Sequence, residues 1–253
     1  MTFTCDLSGG VALVTGATSG LGRRFGATLA GAGTAVAITG RRTEKLDSLK
    51  SEIEANGGRA LPIALDVTDM ASIKNAVEIT ERELGPINVL VNNAGAYSEK
   101  LARSFAEPDF DTIIATNIKG AFFMAQEVGN RMIERGQGGR IINISSMTAL
   151  HPVQGMSVYG MSKAAEIQMT KSLALEWARY NINVNAICPG FIDSEMTGAY
   201  FRTKPEKAHI ETLPRKRIGS PEVLDGLLLL LASGKGSAFM TGSVIRADDG
   251  QLL

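Results

Sequence analysis

A tyrosine and a lysine stand four residues apart in Tyr159-Gly-Met-Ser-Lys163, within a stretch of helical spacing. At 3.6 residues per turn the two side chains share one face. A phenol with its ordinary pKa of about 10 is a poor base at neutral pH. A neighbouring ammonium favours the phenolate and lowers that pKa toward the range where general acid–base catalysis works. Such pairs arise by chance on many amphipathic helices, so the surroundings decide. Ser146 closes an apolar run and is followed by a break at Pro152, which puts its hydroxyl at the carboxyl edge of a strand. There it can donate to a substrate carbonyl oxygen. A serine that merely caps a turn is the alternative, and Ser145 competes for the part.

A second constellation suits phosphate. The apolar run 11–15 leads into Gly16-Ala17-Thr18-Ser19-Gly20-Leu21-Gly22 and then a helical stretch. Gly16 permits a tight turn, Gly20 lets backbone approach a pyrophosphate, and Gly22 allows close helix–strand packing. The helix start offers unpaired N–H groups and a positive dipole end to the phosphates. The end of the second strand then selects the dinucleotide: NAD sites place a carboxylate there for the ribose hydroxyls. Here the residues are Thr39-Gly40-Arg41-Arg42. With no carboxylate to repel a 2′-phosphate and two guanidiniums to bind it, NADP(H) is expected over NAD(H), with Arg41 as the nearer contact. Asp66 and Val67, at the end of the third strand, fall where an adenine edge would pass. Asp66 reads equally well as a turn or capping carboxylate.

Elements that position these residues follow from periodicity. Apolar runs at 11–15, 35–39, 60–65, 89–92, 140–145, 182–188 and 244–247 are continuous more than alternating, as parallel strands covered on both faces require. Between them, helical spacing covers 21–32, 45–55, 71–84, 109–135 (in two pieces), 158–180 and 221–232. Leu46, Leu49 and Ile53 form one apolar stripe, Ile73, Ala76, Val77 and Leu84 another, and Asp69 is placed to cap the helix that follows it. This alternation predicts an α/β fold: a Rossmann-like, doubly wound parallel sheet of about seven strands with helices on both faces. One domain over 1–253 is expected. Residues 193–220 break the alternation with aromatics, charges and two prolines, and are read as a substrate lid, the alternative being a pair of surface helices.

Composition narrows the partners. Lys+Arg and Asp+Glu both number 26, so the formal net charge is zero, which provides no footprint for nucleic acid or an anionic membrane. The longest apolar run, 227–232, is far short of the roughly 20 residues that span a bilayer. No basic stretch followed by an apolar one opens the chain, so no leader and a cytoplasmic location are expected. Two cysteines (Cys5, Cys188) and two distant histidines (His151, His209) offer neither a disulfide framework nor a local metal motif. Cys188 reads as core and His151 as a pocket-edge or surface residue.

Taken together these residues resemble the short-chain dehydrogenase/reductases, in the branch of about 250 residues, over essentially the whole chain. Thr15, Gly16, Gly20 and Gly22 match the family's TGxxxGxG turn, with Thr18, Ser19 and Leu21 between; Asn92-Asn93-Ala94-Gly95 matches NNAG. Asn117, Ser146, Tyr159 and Lys163 match the catalytic tetrad, and the serine-to-tyrosine separation favours Ser146 over Ser145. Pro189-Gly190 matches the PG turn. The resemblance implies that Tyr159 gives the proton in reduction and accepts it in oxidation. Lys163 would lower the pKa of Tyr159 and hold the nicotinamide ribose, Ser146 would orient the carbonyl, and Asn117 would help hold a water that links Lys163 to solvent. Asn92, Asn93, Ala94 and Gly95 would support the cofactor pocket, Pro189 and Gly190 would flank the nicotinamide, and Ile192 would meet its carboxamide. Ser194 stands where the family often has threonine, and Asp249-Gly250-Gln251 where it has DGG, which loosens the expected C-terminal contact of a homotetramer.

An NADP(H)-dependent carbonyl reductase or alcohol dehydrogenase is the resulting expectation, acting on a small molecule. Tyr97, Thr148, His151, Val153, Gln154 and Met156, with Met196, Tyr200 and Phe201 from the lid, are placed to line its pocket. A ketone, a hydroxysteroid-like ring or a 3-oxoacyl thioester would suit it. Lys204, Lys207, Arg215 and Lys216 could meet an acidic acyl-carrier surface or simply be solvated. A dinucleotide sensor or scaffold that lost the chemistry competes, but such a protein is expected to lose Tyr or Lys, and both are present. An epimerase or dehydratase would need a longer C-terminal substrate domain.

Overall fold

The structure, a computed structural model, describes residues 5–193 and 210–253. Seven parallel strands form one sheet in the order β3-β2-β1-β4-β5-β6-β7. They are β1 (Val11–Val14), β2 (Ala35–Gly40), β3 (Arg59–Ala64), β4 (Val89–Asn92), β5 (Gly139–Ile144), β6 (Ile182–Pro189) and β7 (Val244–Ala247). All seven expected strands are present, with ends shifted by a residue or so. The helices are α1 (Gly20–Gly31), α2 (Thr43–Ala55), α3 (Met70–Glu83), α4 (Glu107–Ile114), α5 (Ala121–Arg135), α6 (Ser157–Trp177) and α7 (Asp225–Ala232).

The two-residue period of a strand sorts the core into two layers. Ala12 and Val14 face one side, where Phe25 and Leu29 of α1, Leu46, Leu49 and Ile53 of α2, and Leu228 and Leu231 of α7 cover them. Leu13 faces the other, beneath Ile73 and Val77 of α3, Met124 and Val128 of α5, and Leu173 and Trp177 of α6. Each such fully buried side chain contributes roughly 1.5–3 kcal/mol. The central strands are therefore buried along almost their whole length, with a few buried asparagines among the apolar residues, and β3, at the sheet edge, is partly exposed. Its Pro62 lies opposite Ile38 in the ladder with β2, and at a sheet edge a missing N–H is tolerated.

Local signals set the helix ends. Asp69 caps α3 as expected, its carboxylate accepting from Ala71 N at 2.9 Å. Gly136, at φ 68°, takes the left-handed position that ends α5. The expected two-piece stretch 109–135 divides at a π-helical segment, Ala115–Gly120. Here the chain lies so close to the end of β3 that a Cβ on Gly120 would sit 2.7 Å from the Val67 carbonyl oxygen. The segment carries Asn117 inward, fully buried. Wound interruptions of this kind often mark functional positions.

Strand order reverses between β1 and β4, which opens a crevice at their carboxyl ends. Thr15, Asn92, Ser145 and Pro189, at the ends of four neighbouring strands, all reach this edge. Of residues 193–220, those at 194–209 lie outside the described residues. The flanks of that stretch are tied together: Asp193 N donates to Gly219 O at 2.8 Å and Gly219 N to Phe191 O at 2.9 Å. Among the described residues no helix is long and apolar enough to cross a membrane.

Candidate active site

The glycine turn follows β1 directly. Gly16 and Gly20 both have positive φ, 68° and 53°, which explains glycine at each. A Cβ on Gly16 would lie 2.9 Å from Ala94 Cα, and one on Gly22 would collide with the Gly16 carbonyl oxygen and Asn93 Nδ2. The turn is braced from β4: Asn93 Nδ2 donates to Thr15 O at 2.9 Å, while Thr15 Oγ1 accepts from the backbone N–H groups of Asn93 and Ala94, both at 2.9 Å. Asn93 thus shapes the cradle through its backbone carbonyls. Asn92 turns inward, donating to Ala121 O at 2.8 Å. Ser19 precedes α1 in extended conformation with no side-chain capping bond, leaving the first-turn N–H groups near Gly20, Leu21 and Gly22 open toward the crevice.

Arg42, and not Arg41, reaches this turn. Its Nη2 lies 2.8 Å from Thr18 Oγ1 and 3.0 Å from Ser19 Oγ. Arg41, expected as the nearer contact to a 2′-phosphate, is exposed beside the turn and acts electrostatically on Asp66. Asp66 Oδ1 accepts from Thr68 N and Thr68 Oγ1 at 2.9 and 2.7 Å, the turn arrangement given above as its alternative. Those bonds, with Arg41, hold its carboxyl below the usual range. Val67 is buried beneath Gly120.

Tyr159, Lys163, Ser146 and Asn117 converge at the ends of β4 and β5. Ser145 Oγ donates to the Lys163 carbonyl at 2.9 Å and is buried, which removes it from competition with Ser146. Ser146 Oγ accepts from Thr148 N at 3.1 Å and from Thr148 Oγ1 at 2.9 Å. With its lone pairs so used, its single O–H is left to donate, and it bonds the Tyr159 hydroxyl. The Tyr97 ring meets Tyr159 edge-on at 6.3 Å. Asn117 joins the loop after β4 to α6: Oδ1 accepts from Ala96 N at 2.8 Å, and Nδ2 donates to Ala96 O and Ser162 Oγ, each at 2.9 Å. Lys163 Nζ lies 5.8 Å from the Tyr159 ring centroid, and 3.8 Å from where a Cβ on Gly95 would stand.

One charged neighbour was not expected. Glu166, one turn beyond Lys163 on α6 and 3% exposed, accepts from Nζ through Oε1 at 2.9 Å and Oε2 at 3.0 Å. Burial pushes its carboxyl up to about 7 against the downward pull of Lys163. Burial alone lowers Lys163, but Glu166 and Tyr159 reverse that and hold the ammonium above its ordinary value. For Tyr159 burial is the largest influence and raises the phenol, with Glu166 adding to it; Lys163 and the Ser146 bond pull downward without winning. Lys163 pulls the phenol downward as expected, but in this arrangement burial outweighs that pull and Glu166 adds to the opposition, so the phenol stays above its ordinary value.

The short chain dehydrogenase family profile matches residues 10–205. The chain belongs to that family, a family of oxidoreductases. A gluconate 5-dehydrogenase of Gluconobacter oxydans is 36% identical to this short-chain dehydrogenase over 249 residues, which cover 97% of this chain and 95% of that protein. The 3-oxoacyl-(acyl-carrier-protein) reductase FabG of Thermotoga maritima is 40% identical over 250 residues, 98% and 99% of the two chains. A crystal structure of a gluconate 5-dehydrogenase from Burkholderia cenocepacia, in complex with NADP and tartrate, superposes with a TM-score of 0.93 at 32% identity, covering 98% of this chain and 97% of that one.

In this short-chain dehydrogenase the PG turn closes the crevice on its far side. Pro189 ends β6, Gly190 N donates to Ala247 O at 3.1 Å, and Ile192 is buried. A Cβ on Gly190 would lie 2.8 Å from Asp248 Cα. Gln251, noted in sequence only as a departure, accepts from Phe191 N through Oε1 at 2.7 Å and so anchors this turn. A cavity of about 500 Å³ lies between the turn, Arg217–Leu224 and the C-terminal segment, away from Tyr159. Cys188 is fully buried and His151 exposed, as read from sequence. Ser194, Met196, Tyr200, Phe201, Lys204, Lys207 and His209 lie outside the described residues.

Proposed function

We propose that this short-chain dehydrogenase uses NADP(H) to interconvert a carbonyl and a secondary alcohol, with Tyr159 giving or taking the proton. The observation that carries the reading is the Tyr159 hydroxyl, bonded by Ser146 and one helical turn from Lys163, at the same sheet edge as the glycine cradle. The cradle fits a dinucleotide, since it has room only where Gly16 and Gly22 lack a Cβ and it ends on the uncapped start of α1. When bound, the reduced nicotinamide supplies the hydride. The chain supplies position and the proton. Ser146, its lone pairs engaged by Thr148, turns its single O–H from the Tyr159 hydroxyl to the carbonyl oxygen, and Tyr159 protonates that oxygen as it gains charge. Lys163 steadies the phenolate left behind and binds the ribose. Asn117, saturated by Ala96 and Ser162, holds the loop and α6 in register beneath them.

Arg42 is the residue assigned to the 2′-phosphate, with Arg41 as second guanidinium, while Asp66, Val67, Ala94, Gly95, Pro189, Gly190, Ile192 and Ser194 border the dinucleotide. The NADP held by the Burkholderia enzyme supports this choice. Arg42→Ala is expected to weaken NADPH binding roughly ten- to a hundred-fold, the worth of a charge-assisted bond, and to leave NADH binding nearly unchanged. Titration of each nucleotide by fluorescence checks it; undiminished NADPH affinity would remove Arg42 from the site.

The substrate is a small carbonyl compound whose reacting oxygen reaches Ser146 and Tyr159 past Tyr97 and Thr148. The names of the relatives add polyhydroxy acids to the 3-oxoacyl thioesters already considered. Exposed Phe122 on α5 and Met161 and Leu175 on α6, the last 82% exposed, support a homotetramer built on these helices. Residues 193–220, pinned at Asp193 and Gly219, serve as the substrate lid in this reading.

A further inference from the structure

An ammonium has three donors and no acceptor. In Lys163 all three are spent: on Ile144 O at 2.9 Å and on the two oxygens of Glu166 at 2.9 and 3.0 Å. Both side chains are nearly inaccessible to bulk solvent. A bond from Lys163 to a ribose or to the phenolate must therefore displace one of these. The pair is also electrically balanced: whatever Lys163 does to stabilise a phenolate at Tyr159, an ionised Glu166 one turn away opposes.

We infer that Glu166 is a positioning residue for Tyr159 and Lys163, holding the ammonium in a resting place and offsetting its charge so that the phenol keeps its proton until Lys163 leaves the carboxylate. Movement of Lys163 off Glu166 then does two things at once, freeing a donor and bringing the ammonium nearer to Tyr159 than the carboxylate that offsets it. The other titratable groups that sense Glu166 are few. Tyr159 and Lys163 lie on α6 itself, and Cys188 faces it from β6, its thiol raised by burial. Tyr97 lies beyond the Tyr159 ring. From β5 and the residues after it come neutral groups, the Ile144 carbonyl, the Asn143 amide bonded to Thr170 and the hydroxyls of Ser145 and Ser146, and from the π-helical segment the neutral Asn117. No second cation among them is placed to take over the balance.

The role rests on Tyr159 being the proton donor of the proposed reaction, yet it can be read without turnover. Ultraviolet difference titration of the ligand-free protein, with the Tyr159→Phe spectrum subtracted, isolates the ionisation of Tyr159. In Glu166→Gln, which keeps the volume and one acceptor, that ionisation is expected to move roughly one to three pH units toward acid, the reach of an opposite charge a few ångströms away. Glu166→Met, a second charge-free variant, must move it the same way, and Glu166→Asp must return it toward the wild-type position. The phenol-dependent limb of kcat/KM should follow the same shift in the working enzyme. An unmoved titration, or one moved to higher pH because Lys163 has lost its own proton, would overturn the inference. If the titration shifts but no carbonyl is turned over by wild-type protein, the proposed reaction fails and the coupling stands.

Discussion

Tyr159→Phe is expected to bind NADPH as the wild type does and to lose turnover by about 10²–10⁴-fold, the worth of a positioned general acid. The ring fills the same space against Tyr97 and Lys163, and only the hydroxyl that Ser146 bonds is removed. The Ser146 bond orients the Tyr159 hydroxyl, while the Tyr97 ring meets the Tyr159 ring edge-on. Steady-state rates and fluorescence titration of the nucleotide, made on the same preparation, check both halves. Turnover near wild type would take Tyr159 out of the mechanism. Weakened binding with an equal loss in rate would make it a structural residue.

Lys163→Met is expected to damage stability as well as rate. It leaves the Glu166 carboxyl buried with no cation, and breaking such a pair from one side costs roughly 3–5 kcal/mol. The cost depends on pH in a defined sense. Without Lys163 the folded-state pKa of Glu166, already pushed up to about 7 beside it, rises further, while the unfolded chain keeps its ordinary value near about 4.3. A carboxyl raised by folding leaves stability intact below the unfolded pKa and removes it as pH climbs toward the folded one. The deficit of Lys163→Met relative to wild type should therefore be small at about pH 5 and larger at about pH 8. Urea unfolding at the two pH values measures it; an equal deficit at both would mean that Glu166 carries no charge problem for Lys163 to solve.

Much of this architecture was legible from residue order, for identifiable reasons. Central parallel strands are covered on both faces, so β1, β2, β4, β5 and β6 are mostly apolar runs, interrupted in β5 and β6 by Arg140, Asn143, Asn183 and Asn185, and their places were legible. The glycine turn was legible because Gly16, Gly20 and Gly22 stand where a left-handed backbone or a near collision forbids a side chain. Other features leave no such trace. The π-helical segment around Asn117 keeps helical spacing on either side of it, so the periodicity showed a division but not its nature. Arg41 and Arg42 are adjacent where β2 turns into α2, and residue order alone does not distinguish which one reaches Thr18.

Glu166 was hidden differently. It lies three residues beyond Lys163, a spacing at which charged pairs meet on any helix, and that signal was available. On most helices such a pair is solvated. In α6, Lys163, Glu166, Thr170 and Trp177 are all buried among apolar neighbours, and hydrophobic periodicity alone cannot tell an inward carboxylate from an outward one. The consequence for Tyr159 was missed with it: the tyrosine–lysine spacing implies a lowered phenol pKa, whereas burial, with the third charge adding to it, keeps it raised.

The most direct test of the account uses NADPH deuterated at the transferable position of the nicotinamide. Purified protein is offered ketones, polyhydroxy keto acids and 3-oxoacyl thioesters in turn, and the products are read by mass spectrometry. A secondary alcohol carrying one deuterium on its carbinol carbon, formed by the wild type and not by Tyr159→Phe, is the predicted result. NADPH that binds but never delivers deuterium to any of these carbonyls would contradict the account and return the protein to the dinucleotide-sensor reading.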